Sequence, residues 1–159
     1  MEQPMNDYIK ELAPRLPYGV KMHHEEYGEP SIMDLIGVEI GAIIMHDRNV
    51  LQSMSDTSTW AKPIYRPLPD LTKEITHKGE TFVPMDRLKE IADCASDEEA
   101  YEHIDDFTGK FHEVNWGAMP YRFIQWLLEH HFDINGWIEQ GKAIDVNTLK
   151  ENCYENDTQ

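Results

Sequence analysis

The residues with most to offer chemically lie in W-L-L-E-H-H-F-D-I-N-G-W-I-E-Q-G-K-A-I-D, from Trp126 to Asp145, where two adjacent histidines and an aspartate sit between two apolar patterns. Imidazole and carboxylate are metal ligands and proton carriers, so His130, His131 and Asp133 are candidates for a metal or catalytic site. Their spacing argues otherwise. Zinc ligands on one helix stand a turn apart, as in H-E-x-x-H, whereas adjacent residues point about 100° apart. The competing reading is a corner between two helices. Phe123, Trp126, Leu127 and His130 fall at i, i+3, i+4 and i+7, which makes one apolar face with His130 at the negative end of the helix dipole. Asp133 is then placed to cap a second short helix by accepting from the amide of Asn135 or Gly136, with Ile134, Trp137 and Ile138 as its apolar stripe and Gly141 and Lys142 at its end. This corner is the expectation, with no cofactor. A metal centre requires His23, His24, His46 or Asp47 to approach His130 and His131 in space.

The elements that would position these groups follow from the local pattern. Asn6-Asp7 can cap a helix through Tyr8, Ile9 and Leu12 that Pro14 and Pro17 stop. From Tyr18 the segments Y-G-V-K-M-H-H-E, S-I-M-D-L-I-G-V-E and G-A-I-I-M-H-D read as strands, with turns at Gly28-Glu29-Pro30, Glu39-Ile40-Gly41 and Asp47-Arg48-Asn49, and Val50-Leu51 opens another strand. Ser53 to Thr59 reads as a loop. Pro63, Pro67 and Pro69 impose an extended path and forbid a central strand, after which Asp70 is expected to cap one helical turn through Leu71 and Ile75. The Tyr65 to Pro69 segment could serve as a polyproline ligand, but a strap joining sheet to helices is preferred. His77-Lys78-Gly79 is a turn leading to the strand Thr81-Phe82-Val83. Helices are expected at Met85 to Asp93, Asp97 to Phe107, Pro120 to His131, Ile134 to Gln140 and after Asp145. The fold class is therefore α+β: a small, twisted, mostly antiparallel sheet over 1–83 after an N-terminal helix, packed with helices over 84–159, in a single domain spanning 1–159.

Other signatures point to little chemistry. His46-Asp47 has the letters of the metal dyad of HD-type phosphohydrolases, but that dyad lies on a helix and this one ends a strand. Walker, G-x-G-x-x-G and G-x-S-x-G patterns do not occur, and Cys94 and Cys153 have no C-x-x-C spacing, consistent with reduced thiols. A helix-turn-helix at the corner has the wrong sign, since Arg122 and Lys142 are outnumbered there by Glu129, Asp133, Glu139 and Asp145.

Charge is the strongest global signal. Against 14 Lys and Arg stand 30 Asp and Glu, a formal net charge of −16. Direct binding to nucleic acid or to anionic membranes is disfavoured, because both depend on cations that neutralise phosphates. The 40% hydrophobic content suffices for a core. A polar, acidic amino end and short apolar runs give the expectation of a cytoplasmic protein. The acidity is uneven: residues 1–80 carry 8 basic and 13 acidic side chains, residues 81–159 carry 6 and 17. In D-E-E-A-Y-E-H-I-D-D-F, Tyr101, Ile104 and Phe107 line one side of a helix, and Asp97, Glu98, Glu102, Asp105 and Asp106 give it an acidic side. Such a stripe is either a solvated face or a platform for a basic protein surface.

Three landmarks, L-P-Y-G-V-K at Leu16 to Lys21, K-P-I-Y-R-P-L-P-D-L-T at Lys62 to Thr72 and H-F-D-I-N-G-W-I-E-Q-G-K-A at His131 to Ala143, resemble, in the same order, those of a group of small proteins from Bacteroides-type gut bacteria and their phages. The resemblance implies an intracellular protein of phage or mobile-element origin and brings no activity, cofactor or catalytic residue with it. Trp137 replaces a more usual aliphatic residue, and the acidic stretch from Thr81 to Trp116 fits the group least. The leading expectation is a non-enzymatic binding protein whose acidic helical face docks on a basic surface of a host or phage protein, one form of which is nucleic-acid mimicry. The alternatives are a metal-dependent hydrolase using His23, His46 and His130, and a self-assembling structural subunit with an apolar patch around Trp116 to Tyr121.

Overall fold

The computed structural model describes residues 4–26, 29–39, 42–47, 50–54, 61–95, 116–117 and 119–149. Helix α1 (Pro4–Leu12) opens on a proline, which suits a first turn with no partner for its amide, so Asn6 and Asp7 lie inside the helix instead of capping it. Pro14 then ends the α-helical path as expected. The chain tightens into a 3-10 turn, Ala13–Tyr18, and reverses at Gly19 with φ 74°, a left-handed value that glycine adopts without strain.

Five strands follow: β1 (Lys21–Glu26), β2 (Glu29–Glu39), β3 (Ala42–Asp47), β4 (Val50–Met54) and β5 (Ala61–Tyr65). With β8 (Ile144–Asp145) they form a sheet in the order β4-β3-β2-β1-β5-β8, antiparallel except for the β5–β8 pair. Alternation selects the inner face. Met22, Met33, Leu35, Ile43, Met45 and Ala61 are buried together with Leu12, Val20, Tyr65 and Trp137, while Lys21, Asp34 and His46 line up across the other face. The register slips between Leu35 and Gly37, and Ile36 is 52% exposed, as the extra residue of a bulge should be. A side chain at Gly37 would meet Ile44 Cδ1 at 3.3 Å.

Two expectations are corrected in this region. The loop expected from Ser53 begins later, because β4 continues to Met54; residues 55–59 lie outside the described part. Pro63 does not keep its segment out of the sheet interior: β5 lies between β1 and β8. The reason is that β8 pairs with Ile64 and Tyr65 only, so Pro63 itself has β1 alone as a neighbour and behaves as an edge residue. The strap reading of Tyr65 to Pro69 accords with Tyr65 being fully buried.

A third correction concerns Asp70. Instead of capping a helical turn it sits inside a 3-10 turn, Leu68–Thr72, preceded by Pro67 in extended conformation. Its carboxylate is buried and accepts from Lys73 Nζ at 3.1 Å and Asn147 Nδ2 at 2.8 Å, tying the strap to the C-terminal segment.

The hairpin β6 (Ile75–His77) and β7 (Glu80–Phe82) turns on Lys78 and Gly79, both at positive φ, 49° and 81°, the signature of a type I′ turn. No atom lies within 4 Å of a side chain at Gly79, so Gly79→Ala is expected to cost only the backbone term, about 1 kcal/mol in chemical denaturation. Helix α2 (Pro84–Ala95) buries Met85, Leu88 and Ala92, and helix α3 (Tyr121–Glu129) buries Phe123 and Leu127, against Leu71, Ile75, Met119 and Phe132. Both agree with the periodicity. The expected helix Asp97 to Phe107 lies outside the described residues.

The helix expected over Ile134 to Gln140 does not form. Gly136 and Gly141 both take positive φ, 69° and 73°, and the segment is a series of turns closed by Gln140 N to Gly136 O, Lys142 N to Trp137 O and Ala143 N to Trp137 O. After Asp145 the described residues form a 3-10 turn, Val146–Thr148, with Asp145 accepting from Asn147 N at 2.8 Å; the rest of the stretch where a last helix is expected lies outside the described residues. The architecture is α+β, with strands mainly in the N-terminal half. No helix among the described residues is long and apolar enough to cross a membrane.

Candidate functional site

The histidine corner is built by the end of α3. Phe123 and Leu127 are drawn into the core, which places Trp126 and His130 along the flank. His130 Nδ1 lies 2.8 Å from the Trp126 carbonyl, and its ring stacks on the Trp126 indole with centroids 3.8 Å apart. A carbonyl can only accept, so that nitrogen carries the proton and the lone pair is on Nε2. His131 adopts φ 63°, a left-handed conformation uncommon outside glycine, asparagine, aspartate and histidine, and the helix ends there. Its carbonyl accepts from Arg66 N at 2.8 Å, and Asp133 N donates to Arg66 O at 2.9 Å, so the corner is bridged to the exit of β5. Asp133 is buried and its carboxylate accepts from Trp137 N at 2.9 Å and Ile138 N at 2.8 Å. Asp133 accepts backbone amides as expected, but there is no helix for it to cap, and its partners lie further along than Asn135 and Gly136 because the segment turns instead of coiling.

The residue that completes the site is His77. Its ring lies 4.5 Å from that of His130 and 5.6 Å from that of His131, and Phe82 from the other strand of the hairpin meets Trp126 and His130 edge-on at 6.2 and 5.7 Å. His77 is the functional candidate that the turn reading passed over. A signal was present: Ile75 and His77 are two apart on a strand, so burying Ile75 turns His77 to the same side.

All three imidazoles favour the neutral form. Burial, reinforced by His130, Lys78 and Arg66, pushes His77 down to about 4. Burial also pushes His131 down to about 3, helped by His77, Arg15 and Arg66. His130 is lowered by burial too, partly offset by its bond to the Trp126 carbonyl and by Glu129. Buried His77 Nε2 and His131 Nδ1 have no hydrogen-bond partner. At neutral pH these rings are uncharged, and with such low basicity His77 and His131 make poor general bases. Among the described residues no group of three His, Cys, Asp or Glu side chains is arranged to hold a metal ion.

Beneath the corner lies a buried ionic cluster. Arg15 is wholly buried, donates from Nε to Glu11 Oε1 at 3.1 Å and from Nη2 to the Phe132 carbonyl at 3.0 Å, and stacks 4.0 Å over the Tyr65 ring. Glu11 also accepts from Asn135 Nδ2. This network joins α1, β5 and the corner, and its paired, buried charges suit clamping better than catalysis.

The other sequence candidates are scattered. His23 faces Ile32 and Lys62 on neighbouring strands, whereas His46 faces Asp34 on β2, and Asp34 pairs with Lys21 at 2.7 Å. With β2 between them, β1 and β3 stand about 10 Å apart. His24 is buried on the opposite, inner face of β1. The side chain of Asp47 and the whole of Asp97, Glu98, Glu102, Asp105 and Asp106 lie outside the described residues. Within the apolar stretch proposed for self-assembly, Trp116 packs on the helical core and Met119 is buried, while Tyr121 is 77% exposed.

No family model matches this chain, and neither a curated protein nor a solved structure matches it.

Proposed function

We propose that this chain is a non-enzymatic intracellular binding protein that docks through the acidic face around Asp97, Glu98, Glu102, Asp105 and Asp106 on a basic surface of a host or phage protein. The observation that carries the reading is the formal net charge of −16. Arg15, Lys21, Lys73 and Arg87 pair locally with Glu11, Asp34, Asp70 and the pair Glu80 and Glu90, and the excess of acidic over basic side chains is largest over residues 81–159. A surface of one sign attracts its opposite over several ångströms and accelerates encounter, and salt screens the attraction. Occupation of a nucleic-acid site on the partner is the form that such an acidic surface fits most directly. The resemblance to proteins of Bacteroides-type bacteria and their phages directs the search to those hosts.

The test is retention of a basic protein from nuclease-treated host lysate at low salt and its release at high salt, followed by titration of that purified protein. Glu98→Lys, Glu102→Lys and Asp105→Lys combined should weaken binding at least about tenfold while changing unfolding free energy by no more than about 0.5 kcal/mol per site. Unaltered binding by a folded triple variant would exclude this face.

A further inference from the structure

We infer that His77, His130 and His131 form a proton-operated latch, which holds the β6–β7 hairpin against the end of α3 while the three rings are neutral and loosens it when they take up protons. The geometry has three parts. The hairpin and the corner meet through imidazole faces, 4.5 and 5.6 Å between centroids. Two of the ring nitrogens at this junction, His77 Nε2 and His131 Nδ1, are buried without a partner, so an added proton has no acceptor there. The charges around the cluster are mainly cationic: Lys78 on the hairpin turn, Arg66 beyond β5 and Arg15 beyond α1 all oppose protonation, and Glu129 at the end of α3 favours it at His130 alone.

A second proton at this junction therefore places like charges on rings whose centroids are 4.5 or 5.6 Å apart, beside two or three fixed cations. The hairpin has other anchors, namely Ile75 in the core, the Arg66 Nη2 bond to the Thr76 carbonyl at 2.8 Å and the exposed Arg87 to Glu80 pair. Protonation thus shifts a local opening equilibrium and leaves the rest of the fold in place.

The direction in pH follows from the lowered values. Above about 6.5, the ordinary histidine value, latched and opened forms bind the same protons and nothing changes. As pH falls from there through about 4 for His77 and about 3 for His131, the opened form binds more protons, and the latched form loses at most about tenfold in relative population per pH unit for each ring. Ordinary carboxylates titrate near 4, in the lower part of this window, and neutralising them in a chain of charge −16 works in the opposite sense by relieving repulsion, so the latch is read between pH 7 and pH 5, above most of that titration.

Amide hydrogen exchange over residues 75–82, corrected for the intrinsic rate and compared with α2 and α3 at pH 7 and pH 5, tests the latch in the intact protein. The hairpin should lose at least about tenfold in protection relative to the helices on acidification. His77→Phe keeps a ring and removes a titrating group, and His131→Asn suits the left-handed backbone; each should reduce that loss. An unchanged hairpin at pH 5, or the full wild-type response in a folded His77→Phe protein, would overturn the latch. If neither variant folds, NMR titration of the wild-type imidazoles decides. Two rings with midpoints below about 5 support the latch, and three near 6.5 refute it.

Discussion

Arg15→Met is expected to lower the free energy of unfolding by about 3–5 kcal/mol, the range for breaking one side of a buried ion pair. The guanidinium has no exposed surface and serves Glu11, the Phe132 carbonyl and the Tyr65 ring at once. Its loss strands a Glu11 carboxylate with 5% side-chain exposure and the Asn135 amide as its remaining partner. Desolvation of that carboxylate, more than the lost attraction, sets the size of the effect. The double variant Glu11→Gln, Arg15→Met should accordingly recover a large part of the loss, because removing both charges removes the stranded one. Urea denaturation of the two single variants and the double variant measures the coupling. A loss under about 1 kcal/mol for Arg15→Met would mean that water reaches Glu11 and that the ion pair contributes little to holding α1.

Nothing in L-A-P-R-L-P-Y announces that arginine. Composition and periodicity report apolar faces, and an arginine between two prolines reads as a solvated turn; only a cluster brought together across more than a hundred residues gives it partners. The strands β1 to β4 were legible because alternation and turn residues are local, and the same holds for the hairpin turn at Lys78-Gly79. β8 was not legible, since two residues have no period, and Pro63 misled because a proline's tolerance depends on where the neighbouring strand begins. At the corner, His130, His131 and Asp133 were visible as a group, and their structural role was read from spacing. His77 needed the hairpin's packing to join them. The failed helix at Ile134 to Gln140 has a plain cause: its apolar spacing was right, but Gly136 and Gly141 take left-handed conformations, and the Asp133 carboxylate stabilises the resulting turns.

Asp133→Ala should therefore be nearly as damaging as the loss of Arg15, at about 2–4 kcal/mol. Its two carboxylate oxygens accept from Trp137 N and Ile138 N, and a buried amide left without an acceptor costs about 1–3 kcal/mol, less where water can reach it. Trp137 is 5% exposed, so its amide has the poorer access to water and carries most of the penalty. Asp133→Asn retains one acceptor oxygen and should lose about half as much. The effect should also spread in a definite direction. Asp133 N donates to the Arg66 carbonyl, and the His131 carbonyl accepts from Arg66 N, so loosening the cap weakens the bridge that holds His131 in its left-handed turn. Near-UV circular dichroism from the buried Trp137 and hydrogen exchange at Arg66 should both change in Asp133→Ala at neutral pH, where the histidines are uncharged. A variant that lost stability without any change at Arg66 would show that the cap and the histidine junction are independent, and the corner would then be two structures side by side instead of one.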